Sequence, residues 1–95
     1  MLNTKELEKF DKEVVSHVCE LIFNERIGDI DEIKNAVWYK FHDEEKERQV
    51  DDIAYCLLQN GFITYINTLY SSSKQSIMAC DSNDYNLIKE GYLRR

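Results

Sequence analysis

Proline is absent from this chain, and its glycines stand only at positions 28, 61 and 91. These two residue types supply most interruptions of regular structure, so their scarcity leaves room for long elements and short connections. There is no internal repeat, no linker and no low-complexity tract beyond Ser71-Ser72-Ser73. One cooperative unit over residues 1–95 is therefore expected. A chain of that size buries about 60–65% of the surface of its unfolded form. Its 43% hydrophobic and 12% aromatic content suffices for one core and argues against disorder.

From about Asn3 to Arg26 the pattern is helical. Leu7, Phe10, Val14, Val18 and Leu21 recur at three- and four-residue spacing. Asn3 and Glu6 stand as a capping box, and Leu2 is placed to staple onto Leu7. A second strip, Val15, Cys19 and Ile22, lies about 100° further round. A surface helix needs only one stripe, so this helix is expected to be central or to meet a partner. The strip is the candidate interface of a homodimer. Gly28 is read as the close of this helix, and Asp29 with Glu32 as the opening of the next. Ile30, Ile33, Val37 and Phe41 form the inward stripe of that second helix, with Trp38 at its edge and Tyr39 pointing away.

His42-Asp43-Glu44-Glu45 interrupts the period and reads as a turn. A third helix, from about Glu45 to Asn60, directs Val50, Ile53, Ala54, Leu57 and Leu58 inward. Asn60-Gly61 should stop it, with Gly61 in the left-handed conformation and Phe62 against Leu57. Beyond Gly61 the period shortens to two. Phe62 to Tyr70 reads as a strand, Ser71 to Gln75 as a polar turn and Ser76 to Cys80 as the returning strand. Asp81 to Asp84 offers caps for a short last helix carrying Tyr85, Ile88 and Tyr92 on one face.

Three helices, a two-stranded hairpin and a terminal helix is the order of a winged helix-turn-helix domain. Residues from about Asp11 to Cys80 resemble that domain, most of all in the run Leu57-Leu-Gln-Asn-Gly-Phe-Ile63. The resemblance implies an α+β, mostly helical, winged-helix-like fold. In a member that binds DNA it also implies a third helix whose outer face reads bases.

Candidate chemistry is sparse. His17, Cys19, His42, Cys56 and Cys80 include no close ligand pair of the CxxC kind, and His17 and Cys19 point about 200° apart on a helix, so no metal is expected. Cys56 with His42 and Asp43 lacks any local mark of a nucleophile and its base. Glu32-Ile-Lys34 matches part of a nuclease motif that belongs on strands, whereas here it lies within a periodic helix. Ser71-Ser-Ser-Lys74 matches SxxK by chance in a turn. Three scattered glycines exclude the phosphate-binding loops. The expectation is a protein that is not an enzyme and holds no cofactor. No apolar run reaches a membrane span. The start Met1-Leu-Asn-Thr-Lys has no signal-peptide core, and three isolated cysteines suit a reducing, cytoplasmic location.

Charge decides between the remaining classes. Twelve basic and 18 acidic residues give a formal charge of −6. On the third helix Arg48 and Gln59 are placed to read base edges, and Lys74 stands where a wing would touch phosphate. Yet Asp43, Glu44, Glu45, Glu47, Asp51 and Asp52 crowd the same helix, opposed there by Lys46 and Arg48 alone. Such a face repels a duplex. The better reading is a docking face of Glu44, Glu47, Asp51 and Asp52 with Tyr55 and Tyr39, suited to a basic protein surface. Small acidic proline-free chains of this style resemble phage or mobile-element regulators and inhibitors of host nucleic-acid-handling factors. The expected function is regulation or inhibition through protein contacts; the alternative is a DNA-binding winged-helix transcriptional regulator.

Overall fold

A reciprocal hydrogen-bond exchange between distant residues shapes the start of the chain. In the computed structural model, which describes residues 4–66 and 76–93, the Asp11 N–H donates to Gln49 Oε1 at 3.1 Å. Gln49 Nε2 in turn donates to the Asp11 carboxylate at 3.0 Å. Phe10 is extended at φ −104°, ψ 162°, and its carbonyl accepts from the Tyr92 hydroxyl at 2.8 Å. The helix expected from Asn3 to Arg26 is consequently divided. Lys5–Lys9 is a 3-10 turn, α1 spans Lys12–Cys19, and Glu20–Asn24 continues it as a wider π turn. Backbone groups released by the break find long-range partners. The proposed Asn3 cap and Leu2 staple lie outside the described residues.

The π turn buries three successive apolar residues, Leu21, Ile22 and Phe23, all at 4% exposure or less. Val15 and Cys19 are fully buried as well. The strip Val15, Cys19 and Ile22, read as a dimer interface, is therefore core of this chain. Phe23 stacks on Tyr85 with ring centres 5.6 Å apart, and the Tyr85 hydroxyl donates to Glu20 at 3.2 Å. The hairpin packs on the π turn from another side. α1 buries Val14, Val15, Val18 and Cys19 within its own chain, while Lys12 and Glu13 remain at the surface.

Arg26, not Gly28, takes the left-handed conformation at the end of this helix (φ 56°), and the Ile27 N–H closes onto the Leu21 carbonyl at 2.9 Å. Gly28 has a different duty: its carbonyl accepts from the Ile77 N–H at 2.9 Å, and Asp29 bridges to Ser76. The segment thereby adds a third, minimal strand to the edge of the hairpin.

Asp29 then caps α2 (Ile30–Phe41), its carboxylate accepting from the Asp31 N–H at 2.9 Å. Ile33 and Val37 are buried, with Ile30 and Phe41 packed against the core. The turn to α3 is shorter than the sequence implied. His42 adopts φ 51°, and Asp43 caps α3 (Glu44–Gln59) through the Glu45 and Lys46 N–H groups at 2.9 and 3.3 Å. Val50, Ile53, Ala54, Cys56 and Leu57 face the core. α3 ends as anticipated: Gly61 has φ 79°, its N–H donates to Leu58 at 3.2 Å, and the Phe62 N–H reaches Leu57 at 2.9 Å. This double closure satisfies carbonyls that the helix end would otherwise orphan.

β1 (Ile63–Ile66) and β2 (Ser76–Ala79) pair antiparallel, with Ile63 opposite Ala79 and Tyr65 opposite Ile77. The remainder of the expected first strand and its turn, residues 67–75, lies outside the described residues. Ile63 and Ile77 close the core from the sheet side. α4 (Asp84–Ile88) and a π turn over Lys89–Leu93 then bury Tyr85, Ile88 and Tyr92, the face that the sequence marked. Among the described residues the fold is α+β and mostly helical, 69% of them helix, with a two-stranded antiparallel hairpin between α3 and α4.

Candidate functional site

Because α3 turns Val50, Ile53 and Leu57 inward, geometry alone sends Glu44, Arg48, Asp52, Tyr55 and Gln59 outward. All five are exposed, Tyr55 to 63%. The cations around this helix are each engaged within the chain. Arg48 Nη1 stands 3.0 Å from Glu45, and Lys34 on α2 stands 2.7 Å from Asp51. Lys46 pairs with Glu13 and lies over the Phe41 ring at 4.7 Å from its centre. The hydrogen bond that Lys34 donates to Asp51 raises its pKa, and that from Lys46 to Glu13 raises the Lys46 pKa, so both remain protonated at neutral pH.

These pairs sort the predicted docking residues. Asp51 is neutralised by Lys34 and leaves the acidic face. Among the described residues, Glu44, Glu47 and Asp52 have no ion-pair partner within 4.0 Å. Tyr39 is 75% exposed but sits on α2, about 140° round from Lys34 on the side that meets α3. Of the residues assigned to base reading, Arg48 is held by Glu45, Gln59 is exposed, and Lys74 lies outside the described residues.

A groove of about 860 Å³ beside Tyr55 was not legible in the sequence. Its far wall is the N-terminal 3-10 turn, with Lys5, Lys9 and Phe10 facing Asp52, Tyr55 and Gln59. That turn is pinned to the end of α3 through Glu6, whose carboxylate accepts from Cys56 Sγ at 3.5 Å and from Asn60 Nδ2 at 3.2 Å. No local pattern reports an attachment between residues so far apart.

The same contacts bear on the candidate nucleophile. Burial first, and then the Glu6 carboxylate, push the Cys56 thiol up to about 11, leaving it protonated at neutral pH. His42 and Asp43 stand at the opposite end of α3, roughly 20 Å away along a 1.5 Å-per-residue helix. Cys19 is pushed up to about 12 by burial. All three cysteines are free thiols, with Cys80 exposed. Among the described residues no group of three or more His, Cys, Asp and Glu side chains converges on a metal position, and no helix is long and apolar enough to cross a membrane. Glu32 and Lys34 lie within α2, where Lys34 is spent on Asp51. No family model matches the chain, and neither does any curated protein or solved structure.

Proposed function

We propose that the protein is a small non-enzymatic regulator or inhibitor that docks the outer face of α3 on a basic protein surface, such as one that otherwise holds nucleic acid. The observation that carries this reading is the internal pairing of Lys34, Lys46 and Arg48. It leaves Glu44, Glu47 and Asp52 without an ion pair among the described residues, on the helix that carries the exposed Tyr55. Carboxylates so placed steer a cationic partner and repel phosphate. Tyr55 supplies the apolar anchor, since buried aromatic residues carry a disproportionate share of interface energy. Three free thiols support a reducing, cytoplasmic setting.

Parallel affinity capture from the source cell's lysate on the native protein and on Tyr55→Ala tests the reading. A partner should be retained by the native protein and lose about 2 kcal/mol, roughly thirtyfold in affinity, with Tyr55→Ala. Glu44→Ala and Asp52→Ala should each cost less and slow association. Duplex DNA binding that is lost with Arg48→Ala and strengthened by the acid changes would establish the transcriptional-regulator alternative instead.

A further inference from the structure

A second groove, of about 500 Å³, opens between the π turn and β2, away from the face of α3. Its floor is Ile22 and Phe23, and its walls carry Ile66 and Met78, which are 36% and 49% exposed. Ser82 lies at its rim. The charged group lining it is Arg26, which has no ion pair among the described residues. Its backbone is held at φ 56°, a conformation disfavoured by the clash of Cβ with the following carbonyl oxygen. Hydrogen bonds on either side, Ile27 N–H to Leu21 and Ile77 N–H to Gly28, fix it there. Strain over-determined in this way is characteristic of functional positions.

The strand geometry adds a second donor. Cys80 N–H bonds to Phe62, so residues 76, 78 and 80 turn their amides to β1 while Ile77 turns to Gly28. By the same alternation the Ala79 N–H faces the Gly28 edge. Arg26 and Ala79 both line the groove. An apolar trough of ligand-binding size thus carries one guanidinium and one strand amide along its lining.

We propose that this groove binds a small amphiphilic carboxylate of the medium-chain alkanoate class, its carboxylate on Arg26 and its alkyl chain against Ile22, Phe23, Ile66 and Met78. A single cation matches a single negative charge, and met by a chain of net charge −6 an anion depends on that local guanidinium. Met78 adapts to an alkyl chain without a fixed shape.

The test titrates octanoate, octanol and octyltrimethylammonium into the protein, followed by amide chemical shifts. Octanoate should bind saturably with shifts at Phe23, Met78 and Ala79, octanol more weakly, and the cation not at all. Arg26→Gln should weaken octanoate about tenfold, the loss of one charge-assisted hydrogen bond, and leave octanol unchanged. Arg26→Gly relieves the left-handed backbone, so it should lose octanoate without a lower melting temperature. Equal octanoate binding by the native protein and Arg26→Gln, preference for the cationic amphiphile, or no saturation at millimolar octanoate would overturn the proposal.

Discussion

Replacing Gly28 by Ala should destabilise the protein through one backbone contact. A methyl group there would lie 2.7 Å from the Ile77 carbonyl oxygen and 3.6 Å from the Ile77 nitrogen. Both atoms belong to β2, so neither can rotate away, and the segment must withdraw from the strand. Withdrawal breaks the 2.9 Å bond from the Ile77 N–H to the Gly28 carbonyl, worth about 0.5–1.5 kcal/mol. The overpacking itself costs about 1–3 kcal/mol. Against this, alanine restricts the unfolded chain and returns about 0.4–1 kcal/mol. The net loss is about 0.5–4 kcal/mol, centred near 2, which at its centre lowers the melting temperature of a domain of this size by roughly 10–20 °C.

The other two glycines serve as internal controls. At Gly91 the nearest atoms are Thr4 Oγ1 at 2.9 Å and Cγ2 at 3.4 Å, side-chain atoms near the chain start rather than strand backbone, so Gly91→Ala should cost less than Gly28→Ala. At Gly61 the cost is backbone strain at φ 79°, about 1–2 kcal/mol. Urea unfolding followed by circular dichroism ranks the three. A Gly28→Ala protein as stable as Gly91→Ala would refute the third-strand contact and the reasoning built on it.

Burial, assisted by Lys40, lowers the His17 pKa from its usual 6.5. The unfolded chain therefore binds this proton more readily, and stability should be complete above pH 6.5 and decline as pH falls below it; His17→Gln should flatten that limb of a pH–denaturation curve. A thiol reagent added to the native protein should label the exposed Cys80 rapidly, Cys56 slowly and Cys19 only on unfolding, the last two being buried with raised pKa values; early labelling of Cys19 would contradict its burial. Ile22→Ala should cost about 2–5 kcal/mol in unfolding free energy with no change in sedimentation. A changed oligomeric state at undiminished stability would return the Val15, Cys19 and Ile22 strip to an interface.

The elements readable from the sequence are those whose causes lie within a few residues. Asn60-Gly61-Phe62 ends α3 because the left-handed glycine and the two closing bonds are local. Asp29 caps α2 through an N–H two residues on, and the face of Tyr85, Ile88 and Tyr92 follows from helical spacing. Charge was legible as an inventory, and so was the acidic character of α3. What escaped depended on residues brought together from afar. Asp11 and Gln49 divide the first helix, although the Leu7 to Leu21 period runs straight through the break. Gly28 looked like a helix terminator because its requirement, the Ile77 carbonyl, arrives only when β2 folds against it. Asp51 counted as a docking acid until α2 placed Lys34 beside it. Periodicity showed that Val15, Cys19 and Ile22 share a strip but not what covers it. Spacing along a chain encodes direction from a helix axis, whereas cover, pairing and close approach are set by the neighbours that tertiary packing brings.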